Sequence, residues 1–344
     1  MSASAEPAPR FRILSLDGGG IRGAFTASFL ATLESATGRR VVDHFDLIVG
    51  TSTGGIIALA LALGLPAEST RELYQRYGAR IFPGTGLVQR TLARVRQLGS
   101  PKRSGAKLES ALAEVFGERR LCEARCRLVL PTYDAVAGRI YLLKTAHHER
   151  LKFEYQARAV DCALATSAAP TFYAAATFPE HPGSSYLDGG VWANCPVVIG
   201  LVEANYFLGV PLESIDILSV GTVNQPFSVS RRRRLGGALA WSSVILELLM
   251  RGQTQGAVAV ANLLTRERHH RVDVTVDRGR FSFDNAAELQ DLIALGAAEA
   301  RSKPHLDVIT SRFLNGIPAP PFVPIGGADC KLDPPASAGL WGGG

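Results

Sequence analysis

The chain reads as an α/β protein, and three observations carry that expectation. Short apolar runs of strand type alternate along the sequence with helix-favouring runs. Two of these alternations share one layout, a strand, a glycine-rich turn and then a helix, over residues 11–33 and 45–64. The chain has 344 residues, 47% of them hydrophobic, which is enough for a substantial core in one large domain or two smaller ones. No internal repeat and no clear linker divides it, so one domain with an insertion is preferred. The expected organisation is a short disordered lead over 1–10 and a domain over 11–315 that carries a mobile basic loop at 83–103. A Pro/Gly-rich tail over 316–344 follows, with no packed structure expected from Gly316 onward.

The first unit opens with FRILSLD, residues 11–17, a strand that ends in Asp17. Gly18-Gly19-Gly20-Ile21-Arg22-Gly23 follows, then a helix whose Phe25, Phe29, Leu30 and Leu33 keep helical spacing. The glycines also match G-x-G-x-x-G, the dinucleotide-binding pattern, which wants an acidic residue about 20 positions on, at the end of the second strand. Asp43 and Asp46 precede or open that strand instead, and Asp17 would repel a pyrophosphate. Consecutive glycines have another use: several backbone N–H groups in one concave nest can hold an anion or a developing oxyanion.

The second unit runs from strand Phe45–Val49 through Gly50-Thr51-Ser52-Thr53-Gly54 into the apolar run Ile56–Leu63. Small residues around Ser52 suit a G-x-S-x-G elbow, in which a serine on a strained strand-to-helix turn is presented at the top of the sheet. The following helix aims its N-terminal N–H groups and dipole at that serine. A purely structural turn before a buried helix uses the same residue types, so the pentapeptide alone leaves both open.

Beyond the elbow, residues 68–82 form an amphipathic helix with Leu73, Tyr74, Tyr77 and Ile81, and Lys107–Phe116 forms another. Arg127–Thr132 and Arg139–Lys144 read as a hairpin. Ala157–Ala169 is a small-residue helix that stops at Pro170. Asp188-Gly189-Gly190 is by itself only a common turn. Ile215–Val220 is a strand, Trp241–Leu264 a long helix and Arg271–Val276 a late strand, closed by helices over Ala286–Ala300 and His305–Leu314.

The net charge of +6, with pI near 9.2, suits an anionic surface or a phosphate-bearing ligand as well as a solvated basic face. The basic stretches 90–103 and 231–234 are the candidates, and no DNA or RNA is expected as a partner. Five cysteines (122, 126, 162, 195 and 330) are scattered and odd in number, with no disulfide framework and no spacing for a metal site. A reducing compartment is expected. The N-terminus MSASAEPAPR lacks the apolar core of a signal peptide, and the run Ile56–Leu63 is shorter than the ~20 residues a spanning helix needs. A cytoplasmic protein follows as the expectation.

DGGGIRG, GTSTGG and DGG, standing in that order at 17–23, 50–55 and 188–190, resemble the three-part fingerprint of the patatin-like phospholipase family. The likeness extends over residues 11–310 and includes SAAPTFYAAA and DGGVWANCP. It implies a three-layer α/β/α fold with a mainly parallel central sheet and a Ser/Asp dyad in place of a triad. Carried over by position, Ser52 is the nucleophile and Asp188 its base. Backbone N–H groups of Gly19 and Gly20, with Thr53, form the oxyanion hole. Gly18, Gly23, Gly50, Gly54, Gly189 and Gly190 complete the motifs. An aspartate is a weak base, and burial among apolar neighbours would raise its basicity. No metal and no cofactor is required. The competing reading is an α/β-hydrolase triad that adds His269, His270 or His305 to Ser52 and Asp188.

The resemblance also reaches the bacterial patatin-like phospholipases of cyclic-oligonucleotide anti-phage defence. It implies membrane phospholipid as substrate at the inner membrane surface, and a cyclic di- or trinucleotide as activator. An unregulated, broad-specificity lipid acyl hydrolase is the alternative, and a homo-oligomer is compatible with both. Leu87, Val88, Trp241 and Leu246 are candidates for an apolar entry surface.

Overall fold

The computed structural model describes residues 10–81, 105–150, 154–170, 172–237, 241, 245–277, 279–281 and 285–325. Strands β1 (Phe11–Leu16), β2 (Leu47–Gly50), β3 (Arg127–Asp134), β4 (Arg139–Lys144), β6 (Ile215–Asn224) and β7 (His269–Thr275) lie in the order β4-β3-β2-β1-β6-β7. Every pairing from β3 to β7 along that order is parallel, while β3 pairs antiparallel with β4 and with the short strand Tyr186–Asp188. The expected mainly parallel sheet is therefore present. Its apolar strands are covered on both faces, as parallel sheets require.

Alternation within the strands sorts the core into two layers. Leu14, Leu16, Ile48 and Leu128 point into one cluster with helices α1 (Gly23–Thr37), α2 (Thr53–Ala62), α3 (Ala67–Ile81), α4 (Gly105–Phe116) and α5 (Ala159–Ser167). Ile13, Leu47, Val49, Val129 and Ile217 point the other way, against α6 (Val197–Val202). A short α7 (Arg231–Arg234) precedes the long α8 (Ile245–Thr265), whose Ala257, Val258 and Ala261 join the second cluster. Helices α9 (Leu289–Ala300) and α10 (Lys303–Ile309) close the chain. The arrangement is three layers, α/β/α. Pro304 sits in the first turn of α10, where its missing N–H costs nothing, so that helix starts ahead of the expected His305.

One short strand places the site. Strand β3 pairs with β2 through Arg127–Val129 and with β5 (Tyr186–Asp188) through Thr132–Asp134. Its other edge is taken by β4 over Val129–Asp134, so β5 continues the β2 edge beyond the carboxyl end of β2. Asp188 is thereby delivered to the point where β2 gives way to the Ser52 turn.

Residues Gly316–Ile325, expected without packed structure, are irregular yet anchored. Arg12 Nη1 donates to the Ile317 carbonyl at 2.9 Å, Ala319 N–H to Asp43 at 2.8 Å and Ile325 N–H to Ala146 at 2.7 Å. The cysteines, expected to form no disulfide framework, include one that is bonded: Cys122 is in a disulfide, while Cys126, Cys162 and Cys195 are buried and free. The loop expected at 83–103, and with it Leu87 and Val88, lies outside the described residues, as do 1–9 and 326–344. Arg10 is described and pairs with Asp216 at 2.9 Å.

Candidate active site

The turn between β2 and α2 holds Ser52 at φ 56° and ψ −124°, a conformation that side chains other than glycine rarely adopt. Such backbone persists only when its surroundings over-determine it, and here they do. Ser52 N–H donates to Thr166 Oγ1 at 3.1 Å, and that hydroxyl donates on to the Pro131 carbonyl at 2.7 Å. Thr51 Oγ1 donates to the Ala193 carbonyl at 2.6 Å. Ser52 is the N-cap of α2 but its hydroxyl does not cap the helix. It donates to Asp188 Oδ2 at 2.6 Å.

Asp188 is buried, and its second oxygen, Oδ1, accepts the Gly190 N–H at 2.7 Å. Burial raises its pKa to about 6, against the lowering effect of the Ser52 and Gly190 hydrogen bonds. Among the described residues no cation offsets the burial, and the carboxylate is more basic than an exposed aspartate. The loop after Asp188 is pinned by Trp192 Nε1, which donates to the Thr132 carbonyl at 2.9 Å.

Close backbone approach requires glycine at Gly54 and at Gly189. A methyl group at Gly54 would overlap the Leu16 and Asp17 carbonyls, and one at Gly189 would overlap the Pro131 carbonyl. Backbone cannot yield as a flexible side chain would. Gly54→Ala is expected to destabilise the fold by about 3 kcal/mol, read as a lower urea midpoint. An unchanged midpoint would show that the β1–α2 approach is looser than described.

The glycine loop crosses the same sheet edge. Gly18 N–H donates to the Asn194 carbonyl at 3.0 Å, and Gly20 takes φ +60°. Gly19 N–H, expected to be open to an oxyanion, donates to Thr53 Oγ1 at 3.2 Å. The N–H groups of Gly20 and Thr53 have no partner among the described residues. Asp17, at the head of the loop, is held by Arg271 of β7 through two bonds of 3.0 and 2.6 Å. Its charge is thus neutralised, so repulsion by Asp17 is not what argues against a pyrophosphate here. Position argues against it: Asp46 accepts the Arg12 N–H at 2.8 Å and lies at the opposite edge, where β2 begins.

The histidines of the triad reading lie elsewhere. His269 is on β7, separated from β2 by β1 and β6, and bonds Ser219 Oγ at 2.6 Å and Asn262 Oδ1 at 2.7 Å. His270 and His305 bond one another at 2.9 Å. Burial, with neighbouring positive charge, lowers both His269 and His270 to about 4. The triad alternative is set aside on this geometry. Sequence reasoning named Ser52, Asp188 and the glycines but missed Thr166, Asn194, Trp192 and Arg271. The first stands just ahead of SAAPTFYAAA and the next two lie in DGGVWANCP, so the signal was there without a role. Among the described residues no group of three or more His, Cys, Asp or Glu could hold a metal ion, and no helix is long and apolar enough to cross a membrane.

A serine elbow facing a carboxylate, at the carboxyl edge of a mainly parallel α/β/α sheet, belongs to the class of serine ester hydrolases. The family model for patatin-like phospholipases matches residues 14–201. A cGAMP-activated phospholipase of Pseudomonas aeruginosa is 34% identical over 71% of this chain and 72% of that protein. One from Vibrio cholerae is 36% identical over 64% of this chain and 66% of that protein. The crystal structure of VipD from Legionella pneumophila is a looser likeness, with a TM-score of 0.45 and 10% identity over 87% of this chain and 67% of that one. The chain belongs to the patatin-like phospholipase family, and is a hydrolase of lipid esters.

Proposed function

We propose that Ser52 and Asp188 are the catalytic dyad of a phospholipase A-type enzyme that a cyclic nucleotide switches on in anti-phage defence. The observation that carries the dyad is the 2.6 Å hydrogen bond from Ser52 Oγ to Asp188 Oδ2 on a strained elbow. Ser52 Oγ attacks the ester carbonyl carbon while its proton passes to Asp188. The oxygen that becomes negative is met by the N–H groups of Gly20 and Thr53. Gly19 N–H joins them when the Thr53 hydroxyl turns away. Each such donor supplies on the order of 3 kcal/mol of transition-state stabilisation. The lysophospholipid alkoxide leaves with the proton from Asp188. Water then attacks the acyl carbon as Asp188 takes its proton, and the bond to Ser52 Oγ breaks as that proton returns to the serine, freeing the fatty acid.

Activation by a cyclic nucleotide is supported by the relatives named for activation by cGAMP. Peripheral action at the inner membrane surface, and assembly of the chain into a homo-oligomer, complete the proposal. Of the apolar entry candidates, Trp241 is half-buried, and the Leu246 side chain lies outside the described residues.

The test is mass spectrometry of the products formed from phospholipid vesicles, with and without cGAMP and a panel of other cyclic di- and trinucleotides. Ser52→Ala serves as the blank. Fatty acid released by the wild type only in the presence of one nucleotide is the expected result. Equal release in every condition removes the switch, and release no greater than that of Ser52→Ala removes the hydrolase reading.

A further inference from the structure

Helix α8 is apolar on two opposite faces. The inner face enters the core through Ala257, Val258 and Ala261. The outer face turns Ile245, Leu249, Gly252, Gly256, Ala259 and Leu263 to solvent. Ile245, Leu249 and Leu263 are 41%, 55% and 79% exposed. A surface helix of a globular protein normally turns polar residues outward, and a helix that is apolar all round is normally covered. The spacing along the outer face alternates four and three residues, the heptad seam along which one helix packs on another.

The two glycines mark where that other helix would lie. Among the described residues nothing stands within 4 Å of a Cβ built at Gly252 or Gly256, so packing among them does not call for glycine at either position. Glycine inside a helix is destabilising relative to alanine. Small residues four apart on one face allow a second backbone to come close.

The order of residues identifies the partner. Ile245 and Leu263 are equidistant from Thr254, and so are Leu249 and Ala259, and Gly252 and Gly256. An antiparallel copy of α8 crossing at that point sets each large residue against its mate at the far end, and glycine against glycine. Such self-complementarity is what a two-fold interface requires. We propose that the outer face of α8 joins two copies of this chain, antiparallel, about an axis that passes between Gly252 and Gly256.

With Val260 and Leu264, 42% and 43% exposed, the large apolar side chains of this face present roughly 450 Å² per copy, and a pair buries about 900 Å². That approaches the level of about 1,000 Å² for a specific contact before the backbone at the glycines is added. A bilayer is the less suitable occupant, because two glycines remove apolar surface from the middle of the face and a palindromic order has no use there. The inference rests on the self-assembly proposed above and names its surface, and its test reads mass rather than activity.

The test is light scattering of the full chain across a concentration series, with Gly256→Leu as the variant. Leucine improves helix propensity and fills the crossing point, so a loss of assembly is not a loss of folding, and circular dichroism checks this. The wild type is expected at twice the chain mass and Gly256→Leu at the single mass. Ile245→Cys combined with Leu263→Cys should be joined between copies by a short bismaleimide, while Ile245→Cys alone should not, since its two copies lie about 27 Å apart. A wild type of single mass at every concentration overturns self-assembly. A Gly256→Leu chain that keeps the doubled mass overturns this surface alone. A single-mass wild type that loses vesicle binding on Leu249→Glu assigns the face to the membrane and likewise overturns the proposal.

Discussion

Asp188→Asn is expected to lower kcat by about 10³–10⁴-fold with little change in KM, because asparagine keeps the shape and loses the base. The amide oxygen can still accept the Gly190 N–H that Asp188 Oδ1 accepts at 2.7 Å. What disappears is the acceptor for the Ser52 proton. In the wild type the same group sets the pH profile. With the carboxyl raised to about 6 by burial, activity is full above that value and falls as pH drops through it. Stability runs the opposite way. A carboxyl more basic in the fold than in the unfolded chain favours the native state when protonated, and that contribution is lost as pH rises through about 6. At pH 8 the buried charge costs about 3 kcal/mol, so Asp188→Asn should be more stable than the wild type there and the difference should vanish near pH 3. Urea midpoints at the two pH values measure this. A wild type whose activity shows no fall down to pH 4 would remove Asp188 as the group that must be ionised.

Ser52 and Asp188 were legible through the resemblance that three motifs in order carry, not from either turn alone. The glycines beside them answer to short-range geometry: the tight turn needs Gly50 and Gly54 around Ser52, and Asp-Gly-Gly needs Gly189 against Pro131. The α/β elements were legible because apolar periodicity is a local property. Strand β5 was not, because three residues carry no period, yet it is the element that brings Asp188 beside Ser52. The supports of the site were hidden by separation along the chain. Thr166 lies 114 residues from the Ser52 N–H it accepts, and Arg271 lies 254 residues from Asp17. Gly19 shows the limit within a motif: a glycine nest announces several N–H groups, but not that one of them donates to Thr53 Oγ1. The long helix was read from its apolar content. Which of its two apolar faces enters the core depends on Val197 and Ile217, far from it in sequence.

Arg271→Ala is expected to destabilise the protein by about 3–5 kcal/mol, the cost of leaving a buried charge without its partner. Asp17 is 3% exposed and both of its oxygens accept from one guanidinium, a fork that lysine cannot reproduce. Burial works against the Arg271 charge, and the Asp17 carboxylate outweighs it, so the guanidinium is held well above its ordinary value. Asp273, at 3.1 Å, is the second carboxylate on the same group. The loss is expected to reach catalysis as well, because Asp17 leads directly into the glycine loop, and its N–H donates to Val220 at 3.1 Å. A loop freed at that end no longer fixes the Gly20 N–H. Urea unfolding and kcat, measured for Arg271→Ala, Arg271→Lys and the pair Asp17→Asn with Arg271→Met, separate the two effects. The pair removes both charges and should recover most of the stability, since a buried ion pair can often be replaced by neutral groups at little cost. If the arginine serves only the fold, kcat recovers with stability in the pair. If it also positions the glycine loop, kcat stays low when stability has returned. A wild-type urea midpoint in Arg271→Ala would show that Asp17 does not depend on this partner.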